Sequence, residues 1–292
     1  MKLRAALVVA TAIAVVVAVV VATLPKPVEL PRGGREVFPR FRLFGYSGHP
    51  NADALGRLGI GDINDRMREL EQGGQAYRSD RDLLPVMELI TVVAQPKPGA
   101  DGLYRTRVAD ATIESWLATA RAHDALLLLN IQPGRADFLD EVRHLERWLS
   151  EPEVGLALDP EWAVNADQVP GKVFGSTSGQ ELDAVAAWLS ELAKAKGLPE
   201  KVLVYHQLHE DIVVDEAALG THPGVVLVKS VDGIGSPAQK TAAWKRLVAK
   251  TPKHVALGFK LFYEEDTRGG RPLMTPEEVL ALQPMPQYIL YE

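Results

Sequence analysis

Eight short apolar runs punctuate the chain from residue 42 onward: Arg42–Tyr46, Leu84–Ile90, Ala125–Ile131, Val154–Asp159, Val202–His206, Val225–Ser230, Val255–Phe262 and Tyr288–Tyr291. Most are continuous in Val, Leu and Ile, as strands buried on both faces should be. Between them the period becomes helical. Ala136–Ser150 places Phe138, Val142, Leu145 and Leu149 on one stripe, and Ser178–Lys196 does the same with Leu182, Val185, Leu189 and Leu192. Ile113, Trp116, Leu117 and Ala120 mark a further helix, and Asp62–Gln72 a charged one with Ile63, Met67 and Leu70 inward. Ser178 with Glu181 and Thr275 with Glu278 have capping-box spacing, while Ser236-Pro237 and Thr275-Pro276 pair an N-cap with proline at the first helical position.

Strands alternating with helices predict a parallel sheet with helices outside. Eight strands predict closure into an α/β fold of the (β/α)8 TIM-like type, one domain over residues 41–292. An open doubly wound sheet is the alternative, but no glycine-rich phosphate fingerprint follows the first strand. The long segments Ala94–Ala109, Ala163–Thr177 and Glu265–Met274 follow strands two, four and seven, on the side where barrels build their active sites.

The N-terminus adds a location. Met1-Lys2-Leu3-Arg4 is short and basic, and Ala5 to Leu24 carries no charge. A run of about 20 apolar residues is long enough to cross a bilayer core, and no small-x-small cleavage site precedes Pro25. Residues 1–24 are therefore read as an uncleaved signal anchor, with a cleaved signal peptide as the alternative. Lys2 and Arg4 favour a cytoplasmic N-terminus, although Lys26, Arg32 and Arg35 lie on the other flank. The predicted location is the cell membrane, single-pass with an extracytoplasmic domain, or secretion after cleavage. Residues 25–40 read as an extended linker. A net charge of -6 argues against a nucleic-acid partner. The absence of cysteine excludes disulfides, thiolate metal sites and a cysteine nucleophile.

Candidate chemistry clusters where the apolar runs stop. Leu156-Ala157-Leu158-Asp159-Pro160-Glu161-Trp162 ends a strand on two carboxylates, which in an extended strand end would share one side. Asn130 and Gln132, His206 and Gln207, Asp232 and Glu264 end other runs, and Glu88 and Lys260 lie within two more. Paired carboxylates suit glycosidic cleavage, one donating a proton and the other attacking the sugar or activating water. Asp159, Glu161 and Asp232 are accordingly the catalytic candidates. Glu88, Asn130, Gln132, Trp162, His206, Gln207, Lys260, Tyr263 and Glu264 are the substrate-binding candidates. Trp162, Tyr46, Tyr104 and Tyr263 fit a sugar-stacking rim and fit rim packing equally well. Lys260, flanked by Phe259 and Leu261, needs an acid partner such as Asp159, Glu161 or Asp232 to stay charged; the same acids paired to Lys260 and Lys229 would be purely structural. His206 and His209 invite a metal reading, but no H-x-H occurs, and neither a metal nor a cofactor is expected. No G-x-S-x-G elbow is present.

Leu158-Asp159-Pro160-Glu161-Trp162, Val169-Pro170-Gly171, Val204-Tyr205-His206-Gln207, Asp232-Gly233, Gly258–Tyr263 and Met274–Val279 together resemble a family of secreted or membrane-anchored actinobacterial proteins, over roughly residues 84–292. The resemblance implies an exported single-domain barrel. It marks Asp159, Glu161, His206, Gln207, Asp232 and Lys260 as motif positions and names no substrate. Similarity to glycoside hydrolases is at the level of fold alone. The expected function is a barrel acting on cell-envelope or environmental glycans, as a glycoside hydrolase. A non-catalytic glycan- or partner-binding barrel and a metal-dependent phosphodiesterase or amidase are the alternatives.

Overall fold

A computed structural model describes residues 27–50 and 52–292. Its frame is a closed sheet of eight parallel strands: β1 Phe41–Gly48, β2 Asp82–Ala94, β3 Leu126–Ile131, β4 Val154–Leu158, β5 Lys201–Gln207, β6 Val225–Val231, β7 Ala256–Leu261 and β8 Tyr288–Tyr291. Each strand pairs with the next, and β1 pairs with both β2 and β8. Following paired residues strand by strand from Gly45 returns to β1 eight residues earlier. Eight strands with that stagger define a TIM-type barrel.

Two apolar layers hold it. Inside, Phe41, Leu43, Leu84, Val86, Leu126, Leu128, Ala157, Val202, Val204, Val228, Ala256 and Leu290 pack against one another. Their neighbours of opposite parity, such as Leu127, Leu156 and Tyr205, face the helices. The helices are α1 Ile63–Gly74, α2 Asp110–Ala122, α3 Phe138–His144, α4 Glu146–Leu149, α5 Gly179–Lys196, α6 Pro237–Val248 and α7 Pro276–Leu280. Complete capping boxes start α6 at Ser236 and α7 at Thr275. At α5 Ser178 accepts from the Glu181 amide, while the Glu181 carboxylate takes the Thr177 hydroxyl.

Three expectations change. The helix read over Ala136–Ser150 breaks at Leu145, whose φ of -93° and ψ of 6° interrupt the turn between α3 and α4. The stretch read as an extended linker folds back instead, as far as it is described from residue 27. Leu30 and Val37 are buried and plug the bottom of the barrel core. Arg35 donates to the carbonyls of Val28 and Leu198 (2.6 Å each), and the Val37 amide donates to Glu200 at 2.7 Å. Leu198 and Glu200 are more than 160 residues away, which the local proline content could not reveal. Finally, the loops at the C-terminal ends carry structure of their own. Arg105–Arg107 pairs antiparallel with the end of β2, and Thr177–Ser178 pairs with Val213–Val214. The apolar run of residues 5–24 lies outside the described residues, among which no helix is long and apolar enough to cross a membrane.

Candidate functional site

Period-two alternation continues upward from the apolar interior, and at the C-terminal end of every strand the inward position turns polar. Ser47, Glu88, Asn130, Asp159, His206, Asp232, Lys260 and Glu292 form that ring, one per strand. Glu88, Asn130, Asp159, His206, Asp232 and Lys260 are each at most 6% exposed, so their charges are compensated inside the protein or not at all.

His206 is the hub. Its Nδ1 donates to Asp232 Oδ2 at 2.7 Å, and Ser230 donates to the other Asp232 oxygen at 2.6 Å. On the far side Nε2 lies 3.0 Å from Glu88 Oε1 and 3.8 Å from Asp159 Oδ1, close enough for charge attraction but without hydrogen-bond alignment. Glu88 also accepts from Asn130 Nδ2 at 3.1 Å and from the Tyr288 hydroxyl at 3.0 Å. The Tyr288 ring crosses the barrel because its neighbouring strands carry glycine there. A Cβ on Gly45 would come within 3.3 Å of the Tyr288 hydroxyl, and one on Gly258 within 3.3 Å of its ring. Lys260 extends into the same ring, 2.6 Å from Glu292 and 3.7 Å from Asp232, over the face of Phe262 at 5.1 Å. Ser47 completes that corner by donating to Glu292 at 3.1 Å.

Asp159 is held by amides. Asn130 donates to Oδ1 at 3.0 Å and Gln132 to Oδ2 at 3.2 Å, while the Gln132 carbonyl oxygen accepts from the Ala94 amide at 3.2 Å. Beyond Asp159 the chain leaves the strand. Pro160 opens a 3-10 turn through Trp162, so Glu161 does not share a side with Asp159 through strand geometry, as expected from spacing. The turn nevertheless keeps Glu161 close enough to feel Asp159 and Asp232. Its Oε2 is buried and has no hydrogen-bond partner among the described residues.

These environments separate the carboxyls. Burial drives Glu161 well above the usual carboxylate range, and the charges of Asp159 and Asp232 push it further. Burial also raises Asp159, and the Glu88 charge adds to this, but His206, Lys260 and the Asn130 amide oppose the rise. Burial works against the charges of Glu88 and Asp232 as well, yet His206 and Lys260 hold both below the usual range. Conversely, burial disfavours the His206 cation, but Asp232, Glu88 and Asp159 hold it well above the imidazole range. Lys260 is likewise raised, burial being outweighed by Glu292 and Asp232. Glu161 is thus biased toward its neutral form beside Glu88 and Asp232, which are biased toward ionisation, a separation of the kind that assigns acid and base roles.

Glu161 also lines a pocket of about 170 Å³ with Trp162, Gly171, Lys172, Val173 and Phe174. The other expected residues lie elsewhere. Gln207 has the opposite parity to His206, and its amide holds the following loop at the His209 and Glu210 carbonyls. Tyr263 and Tyr46 join hydroxyls at 3.2 Å outside the barrel, and Tyr263 stacks on Tyr291 at 4.9 Å. Both are packing residues there, and neither reaches the mouth. Tyr104 lies under the Arg135 guanidinium, 4.0 Å from its ring centre. Glu264 is exposed, because the strand ends at Leu261 and a turn breaks the alternation. Lys229 points outward and pairs with Glu216 at 2.9 Å, away from the ring. His209 is exposed and caps a short turn, and among the described residues no ligand cluster is arranged for a metal ion.

Tyr288, Ser230, Ser47 and Glu292 are site residues that the run-ending charges do not point to. Their parity within the strands was the available signal, Tyr288, Leu290 and Glu292 alternating inward as Ala256 and Lys260 do.

No family model matches the chain, and no curated protein does. A similar solved structure is a GH18 chitinase from Pseudoalteromonas aurantia, at TM-score 0.40 and 12% identity, covering 86% of this chain and 93% of that one. The barrel is established by strand order and register, and no residue role is taken from that neighbour. The actinobacterial resemblance rests on the sequence phrases alone.

Proposed function

We propose that the protein is a glycan-active barrel that hydrolyses glycosidic bonds, with Glu161 as the proton donor. One observation supports this most. Two carboxyls at the end of one strand and in the turn that follows it have different surroundings: Asp159 receives two amide donors, whereas the half-buried Glu161 has a buried oxygen without a partner. Burial raises both, Glu161 further than Asp159, so Glu161 is the one that holds its proton more readily. In the reaction the Glu161 proton passes to the glycosidic oxygen as the bond to the anomeric carbon breaks. The ionised Asp159 stabilises the cation left on the sugar, or attacks it, and water completes the hydrolysis. Asp232 acts as a positioning residue, holding His206 charged beside Glu88 and Asp159. Trp162 offers an apolar face next to Glu161.

A glycan-release screen on envelope polysaccharides tests the reading. Wild-type protein should release oligosaccharides, and Glu161→Gln should release none while melting nearly as before. Undiminished release by Glu161→Gln would remove the assignment. A second reading is supported by the near-complete burial of Glu88, Asp159, His206 and Asp232: a non-catalytic barrel whose ionic ring is structural. Glycan binding by the wild type without any release would favour it. By its sequence, residues 5–24 would place the domain on the extracytoplasmic side of the cell membrane.

A further inference from the structure

The loop that follows the strand-four acids is built as a fixed platform. Gly175 donates to the Glu161 carbonyl at 2.6 Å and Ser176 to the Ala163 carbonyl at 3.0 Å. Val164 donates to the Gly134 carbonyl at 2.9 Å, and Arg135 donates twice to the Gln168 carbonyl. At its tip Lys172 N bonds back to Val169 O at 3.1 Å around Pro170-Gly171, and Gly171 has φ +76°. Proline followed by glycine at positive φ is the signature of a type II turn.

This pinned loop nevertheless leaves apolar side chains in solvent. Phe174 is 69% exposed and Val173 is 43% exposed. Gly171 keeps the Trp162 ring accessible, since a Cβ there would already stand 3.7 Å from the indole edge. The pocket between them, about 170 Å³ and open to solvent, is small enough to suit one ring rather than a chain. Its wall carries two ionisable groups, Glu161 and Lys172. Lys172 makes no ion pair among the described residues.

We infer that this pocket is a subsite for a single carboxylate-bearing sugar residue, stacked on Trp162 and Phe174 with its carboxylate against Lys172. The inference rests on the glycan-active reading and adds the substrate class. Aromatic faces take the apolar side of a sugar ring, and the exposed Lys172 ammonium in the same wall, without an ion-pair partner among the described residues, is placed to meet a carboxylate. A neutral sugar would make no use of the Lys172 charge.

The test uses pectic, alginate-type and hyaluronate-type polysaccharides, each beside its carboxyl-reduced derivative, which keeps ring and linkage but loses the charge. Binding is measured on Glu161→Gln protein and release on the wild type. At least one acidic polymer should bind about tenfold tighter than its reduced form, the scale of one hydrogen bond to a charged group. Lys172→Gln in the same background should abolish that difference. Trp162→Ala should weaken acidic and reduced forms alike by removing the stacking face, with melting curves confirming that the variant is folded. Equal binding of acidic and reduced forms, or a preference that survives Lys172→Gln, overturns the inference and leaves the hydrolase reading standing. Failure to bind or release any glycan, neutral polymers included, overturns both.

Discussion

Replacing His206 with glutamine isolates the worth of one buried charge. Glutamine keeps an amide donor and much of the volume but loses the cation that lies 2.7 Å from Asp232, 3.0 Å from Glu88 and 3.8 Å from Asp159. At an effective dielectric near 20, one such contact at about 4 Å is worth about 4 kcal/mol before the cost of burying the ion. Removing one partner of a buried pair costs about 3–5 kcal/mol net. At roughly 2–4 °C per kcal/mol for a domain of this size, Tm should fall by roughly 10 °C.

The pH dependence carries the sharper information. His206 is raised, so its contribution is complete below about pH 6.5, the unfolded value, and is lost only as pH rises through the higher folded value. Glu88 and Asp232 are lowered, so their contributions are present above about pH 4 and are lost as pH falls through the depressed folded values. All three are therefore charged together around neutrality. In the variant the orphaned carboxylates recover part of the loss by taking up protons in acid. Urea unfolding at about pH 6 and about pH 4.5 should show the full deficit at the first and a smaller one at the second. A deficit under about 1 kcal/mol at about pH 6, or one equal at both, would refute a charged His206 at the centre of the ring.

Tyr288→Phe should cost about 1–3 kcal/mol by leaving Glu88 Oε2 without its donor, and should raise the Glu88 pKa; unchanged stability would show that the hydroxyl contributes nothing. If residues 5–24 act as an anchor, full-length protein should remain with membranes through carbonate extraction. A free domain starting after residue 20 would show a cleaved signal instead.

The barrel was legible because each strand is a bounded apolar run, and buried parallel strands need little else. The polar ring was legible where a charge interrupts such a run, as at Glu88, Asp159, His206, Asp232 and Lys260. Tyr288 and Ser230 escaped because tyrosine and serine are unremarkable in strands, and only their inward parity distinguishes them. Parity also explains the misplacements: Tyr46 and Gln207 alternate with the outward set, and the turn after Leu261 takes Tyr263 and Glu264 out of strand register. The plug formed by residues 27–40 depends on partners far along the chain. The Glu161 turn depends on Pro160, whose fixed φ and missing N–H take the chain out of the strand.

The central claim is that Glu161 stays protonated at neutral pH beside an ionised Asp159. Infrared difference spectroscopy of wild type against Glu161→Gln at about pH 7 reads this directly, since the ordinary carboxylate range lies near pH 4. A protonated-carboxyl band present in the wild type and missing from the variant is the predicted result. A wild type with no such band, losing only an ionised-carboxylate signal in the variant, would contradict it.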